Sequence, residues 1–241
     1  MKPLIVLLLL GHSVLAQVHS NAHAHNDYEH TRPLFDALLN GFGSVEADVY
    51  LVNGTLLVSH NTPGPKAKTL EQLYLRPLDS LIQANGGNVY SNFEGPFWLM
   101  IDCKTSTGTY EAIRAAVRKY PALMSKGDKG PVNIFLPGNR PLVLMVKDGY
   151  SGLGIDGRPD DVGKGYDFTL MPVISDHYSN WSSWKGKSPA TENDLQKIRV
   201  LAARVHQEGK KLRLWAIPDQ EEAWKALMEV GVDMINTDHL N

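Results

Sequence analysis

The sequence predicts a single α/β domain: a (β/α)8 barrel of TIM type, somewhat irregular around its fourth and fifth strands. Three observations predict it. Apolar, strand-like runs alternate with helix-patterned segments, which favours a parallel sheet with crossover helices. About eight core strands are counted if one hairpin return is set aside. Polar residues recur at the C-terminal ends of those strands, where barrel chemistry collects: His25, Glu46 and Asp48, Asp102 and Lys104, Asp176 and His177, Asn236 and Asp238. A chain of 241 residues suits one such barrel at the lower end of its usual size.

Residues 1–16 read as a secretory signal peptide. Lys2 is the positive start, Leu4 to Leu10 the apolar core, and Val14-Leu15-Ala16 a cleavage region, leaving a domain over 17–241. The apolar run is too short to span a bilayer, which takes about 20 residues. A secreted or periplasmic location is expected.

The elements follow in order. Val18 to His23 reads as the first strand and delivers His25 just past its end. Thr31-Arg32-Pro33 opens a helix with Thr31 as N-cap, and Gly41 stops it. Ser44 to Val52 is the second strand. Asn53-Gly54 is a strong hairpin signal, so Thr55 to Ser59 returns antiparallel and ends at His60. Thr69 to Ala84 is helix-patterned, with an interruption required at Pro77. Phe97 to Lys104 is a strand and Thr109 to Tyr120 a helix. Val132 to Leu136 and Leu142 to Val146 read as two strands with no helix between them, hence the expected irregularity. Lys147 to Gly165 reads as a long loop and Phe168 to Ser175 as a strand. Thr191 caps a helix to Gln207; strand 212–217, helix 220–230 and strand 234–237 complete the chain.

Composition narrows the function classes. With 24 basic and 26 acidic residues and no basic stripe, nucleic acid is not an expected partner. The lone cysteine, Cys103, cannot form an internal disulfide and reads as a small buried hydrophobe. Trp181 and Trp184 lie together in a loop, as an interfacial or lid element or as plain packing.

The chemistry centres on His25 to His60. Side chains alternate along a strand, so Glu46 and Asp48 share one face of an apolar run. Two dehydrated carboxylates persist only with a cation, a shared proton or open solvent. Asp102 offers a third carboxylate, with Lys104 on the same face of its strand. Three carboxylates suit one hard divalent cation, Mg²⁺ or Ca²⁺, with zinc the second choice. The plainer reading of Glu46 and Asp48 is an exposed face with ordinary salt bridges; Asp102 at a matching strand end counts against it. His19, His23, His25 and His30 crowd one segment. His25 and His60 flank the acidic strand and suit an acid–base pair, and His23 is the rival to His25.

These residues reach a family. His25-Asn26-Asp27, then SVEADVYL, LLVSHN, LMIDCKT, LWAIPD and GVDMINTD resemble the glycerophosphodiester phosphodiesterase and phosphatidylinositol-specific phospholipase C-like superfamily. The HNDY start, the PLFDAL helix, SVEADV and LYLRPL resemble in particular the branch of the altered-inheritance-of-mitochondria protein six. The resemblance implies catalytic histidines at His25 and His60 and metal ligands at Glu46, Asp48 and Asp102. It implies substrate contacts at Lys104, Asn26 and Trp215. Two departures stand out. The usual His-Arg-Gly start is His25-Asn26-Asp27, which lacks the arginine, and the third ligand is Asp102 rather than Glu. The expected activity is metal-dependent hydrolysis of glycerophosphodiesters or phospholipid-derived phosphodiesters. The alternatives are a cyclising phospholipase D-like lyase and a non-catalytic ligand-binding barrel.

Overall fold

The computed structural model describes residues 17–124, 130–149 and 151–240. The segment read as a signal peptide, 1–16, lies outside the described residues. Nine strands form one sheet: β1 (His19–Ala24), β2 (Phe42–Val52), β3 (Thr55–Val58), β4 (Phe97–Cys103), β5 (Val132–Leu136), β6 (Gly154–Gly157), β7 (Val173–His177), β8 (Lys211–Trp215) and β9 (Met234–Thr237). The order is β1-β9-β8-β7-β6-β5-β4-β2-β3, and β1 also pairs with β2. Eight parallel strands therefore close into a barrel, while β3 hangs on β2 as an antiparallel hairpin strand. Asn53 and Gly54 both have positive φ, as the tight hairpin requires.

Six helices accompany the strands: α1 (Phe35–Leu39), α2 (Arg76–Ala84), α3 (Thr109–Val117), α4 (Leu142–Asp148), α5 (Glu192–Gln207) and α6 (Glu221–Glu229). Pro77 does not break its segment. It sits in the first turn of α2, where its missing N–H is tolerated, and a π-helical turn over Glu71–Leu75 leads into it. Thr191 and Asp194 form a reciprocal capping box on α5.

Further expectations are corrected. Thr31 does not cap α1; the helix begins after Leu34, whose φ of 67° turns the chain there. Leu142 to Val146 is helical, with Met145 buried and Val143 84% exposed. A short apolar run fits either a strand or one helix turn, and periodicity alone does not separate them. The missing strand is β6, inside the expected loop, so the barrel is more regular around its fourth and fifth strands than the sequence suggests. Its glycines hide it: a Cβ at Gly154 would crowd Pro172, and one at Gly157 would crowd Ile174 and Met171. The strand expected from Phe168 also starts later, at Val173, as β7.

Alternation sorts the strands' side chains into two cores. Phe97, Leu99, Ile101 and Cys103 of β4 face the helices in the main core. Trp98 and Met100 of the same strand face inward, where they pack with Phe135, Val173 and Met234 as an apolar plug inside the barrel.

Candidate functional site

Above the plug the interior turns polar. Parallel register sets Glu46 beside Met100 and Asp48 beside Asp102. Neighbouring strands are about 4.8 Å apart, so this register alone brings two carboxylates together. One carboxylate oxygen each from Glu46, Asp48 and Asp102 lie within 4.8 Å of one another. Asp48 Oδ1 and Asp102 Oδ1 are buried without a hydrogen-bond partner. Beside them, Gly138 (φ 70°) keeps space open; a Cβ there would fall on Asp102 Oδ1. Orphaned oxygens with room beside them fit a hard divalent cation. Burial raises the pKa of Glu46, opposed by the charges of Arg213 and His25 and reinforced by those of Asp48 and Asp102.

Lys104 Nζ bonds Asp102 Oδ2 at 2.6 Å and Asp48 Oδ2 at 2.9 Å. Burial disfavours its ammonium, but these two carboxylates outweigh that and hold its pKa above the usual range. Each acid thus gives one oxygen to Lys104 and leaves the other unpartnered.

The two histidines are held differently. His25 Nδ1 lies 2.7 Å from Asp238 Oδ1, and its Nε2 lies 3.6 Å from Glu46 Oε2. A carboxylate at 2.7 Å fixes the proton on Nδ1 and leaves Nε2 as the acceptor. His60 Nδ1 lies 3.2 Å from the Tyr28 hydroxyl and 3.3 Å from Asp48 Oδ2. Tyr28 in turn reaches Asn26 Oδ1 at 2.6 Å and Asp48 Oδ2 at 2.8 Å. Asn26 adopts a left-handed backbone (φ 49°), which asparagine tolerates, and this turns the chain from His25 toward Tyr28. The rival His23 is fully buried, bonded to Ser44 Oγ at 2.7 Å. Burial, and then the charges of Arg213 and His25, hold its pKa well below the usual range. It is a neutral interior group, outside the cavity.

One polar cavity of about 290 Å³ gathers His25, Asn26, Glu46, Asp48, His60, Asp102, Lys104 and Trp215. All eight residues singled out in the sequence therefore line one space. Three charged residues that sequence reasoning missed line it too: Asp156, Arg158 and Arg213. Arg213 alternates with Trp215 on a strand otherwise read as core, and that alternation was the available signal. Asp156 and Arg158 belong to β6 and its exit, where the sequence reads as loop. Asp176 and His177 lie outside this space: Asp176 binds the indole of Trp181, and His177 meets Trp215 edge-on. The two loop tryptophans do not form an exposed pair. Trp184 is 8% exposed and bonds the Ser188 carbonyl, and Trp181 is partly buried. Trp184 is therefore a packing residue and not an interfacial one, and no helix among the described residues is long and apolar enough to cross a membrane. Cys103 is buried as expected, and burial with the Asp102 charge pushes its thiol up to about 12.

Comparison with known proteins points the same way. Residues 13–117 match the family described as AIM6-like phosphodiesterase domain. Residues 211–241 match the glycerophosphoryl diester phosphodiesterase family. The chain is 27% identical to altered inheritance of mitochondria protein 6 of Kluyveromyces lactis, over 91% of this chain and 70% of that protein. Its namesake from Lachancea thermotolerans is 28% identical, over 90% of this chain and 63% of that one. The chain thus spans roughly two thirds of the length of these relatives. Among solved structures, a glycerophosphodiester phosphodiesterase from Parabacteroides distasonis superposes with a TM-score of 0.56 at 18% identity, covering 92% of this chain and 94% of that one. At that identity the likeness bears on the fold, which is the closed barrel described above.

Proposed function

Because this chain belongs to the glycerophosphodiester phosphodiesterase and phospholipase C-like superfamily, in its AIM6-like branch, we propose that it is a metal-dependent phosphodiesterase. The observation that carries the reading is the clustered Glu46, Asp48 and Asp102, with orphaned oxygens on two of them, set between His25 and His60. These carboxylates would hold one Mg²⁺ or Ca²⁺. Such an ion, when bound, offsets negative charge that develops on a phosphoryl oxygen.

The chain's own residues supply the rest. Lys104 places a fixed ammonium at the edge of the cluster. His25, oriented by Asp238, presents Nε2 to the cavity as a proton acceptor or donor. His60, steadied by Tyr28 and Asp48, provides the second proton-transfer group. One histidine deprotonates the attacking hydroxyl, and the other protonates the departing alcohol. The attacker is water or a neighbouring hydroxyl of the substrate, and the second case gives a cyclic phosphate. A polar cavity of about 290 Å³ accommodates a phosphate with a small polar group, so glycerophosphodiester headgroups suit it better than long chains. The apolar segment at residues 1–16 supports action outside the cytoplasm.

The test is turnover of bis(p-nitrophenyl) phosphate and a glycerophosphodiester panel in EDTA, Mg²⁺ and Ca²⁺. Activity lost in EDTA and restored by a divalent ion is expected; full activity after thorough chelation refutes the metal assignment. His25→Ala and His60→Ala are each expected to slow turnover by roughly 10²–10⁴-fold while the protein stays folded. Phosphorus NMR of the product separates hydrolysis from cyclisation.

A further inference from the structure

Arg213 is 5% exposed, yet its Nε has no hydrogen-bond partner. No carboxylate among the described residues lies within ion-pair distance of it; Glu46, whose charge it feels, pairs instead with His25. Its side chain lines the cavity shared by the carboxylate cluster and the two histidines. A buried guanidinium carries five donors and is costly to leave unpaired. The other cations of this space are engaged. Lys104 is committed to Asp48 and Asp102. Arg158 is tied to Asp156 at 2.7 Å and lies over the Trp215 ring at 5.4 Å.

The charge balance names the missing partner. The cavity is lined by four carboxylates, Glu46, Asp48, Asp102 and Asp156, against three permanent cations, Lys104, Arg158 and Arg213. A divalent ion on the first three acids leaves one positive charge over, and Arg213 is the group with no partner. One surplus charge matches a phosphodiester, which is a monoanion. It matches a phosphomonoester dianion less well.

We propose that Arg213 forms an anion subsite in the cavity wall that takes a non-bridging oxygen of a phosphodiester monoanion. The identity of the anion rests on the phosphodiesterase reading; the existence of the subsite does not. Arg213 is a substrate-binding and positioning group in this scheme, and no proton or bond changes hands at it.

The test is calorimetric titration of dimethyl phosphate into protein saturated with Ca²⁺, with melting temperatures taken alongside. Wild type is expected to bind. Arg213→Met is expected to bind at least ten-fold more weakly and to melt at the same or a higher temperature, because an unpaired buried charge has been removed. Arg213→Lys is expected to fall between them, since it keeps the charge and loses the planar fork. No binding by wild type overturns the proposal. So does unchanged binding in Arg213→Met, with or without a lower melting temperature, which would make the arginine a structural counter-charge. If Arg213→Met does not fold, Arg213→Lys decides, and binding equal to wild type overturns the subsite. Turnover of bis(p-nitrophenyl) phosphate with Mg²⁺ or Ca²⁺ separates the two ideas. Wild-type turnover with an unchanged KM in Arg213→Lys sinks the subsite alone. Arg213-dependent binding without any turnover sinks the phosphodiesterase reading and leaves the subsite standing.

Discussion

Two layers of the barrel interior, built on the same strands, have opposite chemistry. On β4, Trp98 and Met100 enter the apolar plug with Phe135, Val173 and Met234, and two residues later Asp102 joins the carboxylate cluster. On β8 and β9 the change is as abrupt: Met234 lies in the plug, while Arg213, paired with it across the strands, lines the cavity. The lower layer buries apolar surface and leaves no polar debts. The upper layer gathers like charges, orphaned oxygens and an unpaired guanidinium, which no folding pressure alone would assemble. The difference teaches where stability ends and ligand binding begins along a single strand.

Substitution on either side of that boundary should move different observables. Glu46→Gln is expected to have the largest effect, on activity: about 10³-fold or more in metal-dependent turnover, since it removes a ligand charge. In the metal-free protein the same change should leave the melting temperature equal or raise it, because a dehydrated carboxylate disappears. Added Mg²⁺ or Ca²⁺ should then stabilise wild type and not the variant. A variant that melts well below wild type in EDTA would mean that the upper layer also holds the fold, and the contrast would collapse.

Phe135→Ala probes the other layer. Phe135 is fully buried and packs edge-on against Trp98 with ring centroids 6.0 Å apart. Truncation should cost about 3–5 kcal/mol of stability, read as a lower urea midpoint. Turnover of the remaining folded fraction should change far less than in Glu46→Gln. Equal losses of specific activity in the two variants would show that the plug and the cluster act as one unit.

The sequence made the boundary visible on some strands and not on others. Glu46 and Asp48 stood out because two acids interrupt an apolar alternation, and Asp102 because it ends one. The histidines stood out by position, flanking the acidic strand. Arg213 offered only its alternation with Trp215, and a single charged residue between leucines on a short strand looks the same whether it points inward or outward. Asp156 and Arg158 were hidden by glycines, which weaken every local strand signal although packing against Pro172 and Ile174 demands them here. The exchange of strand for helix at Leu142 to Asp148 had the same root: five apolar residues carry too little periodicity, and burial of Met145 beside exposed Val143 settles the matter only in three dimensions. Register was out of reach altogether, and it is register that sets Asp48 against Asp102.

Asp27 offers the smallest test, through a carboxylate that is buried beside the cavity without lining it. It is fully buried, and its Oδ2 accepts bonds from the Leu34 N–H at 2.6 Å and the Tyr74 hydroxyl at 2.8 Å; its Oδ1 has no partner. Burial raises its pKa to about 6, against the lowering effect of those two bonds. The folded state therefore holds this proton more tightly than the unfolded chain, whose value is near 3.8. Its contribution is most favourable below about pH 4, falls as pH rises to about 6, and is level above that. Asp27→Asn keeps an acceptor for both bonds and has no charge to bury. The variant should gain stability over wild type by up to about 3 kcal/mol above pH 6 and nothing below pH 4, read from urea midpoints across that range. An identical pH slope in both proteins would place Asp27's charge in contact with solvent or a cation.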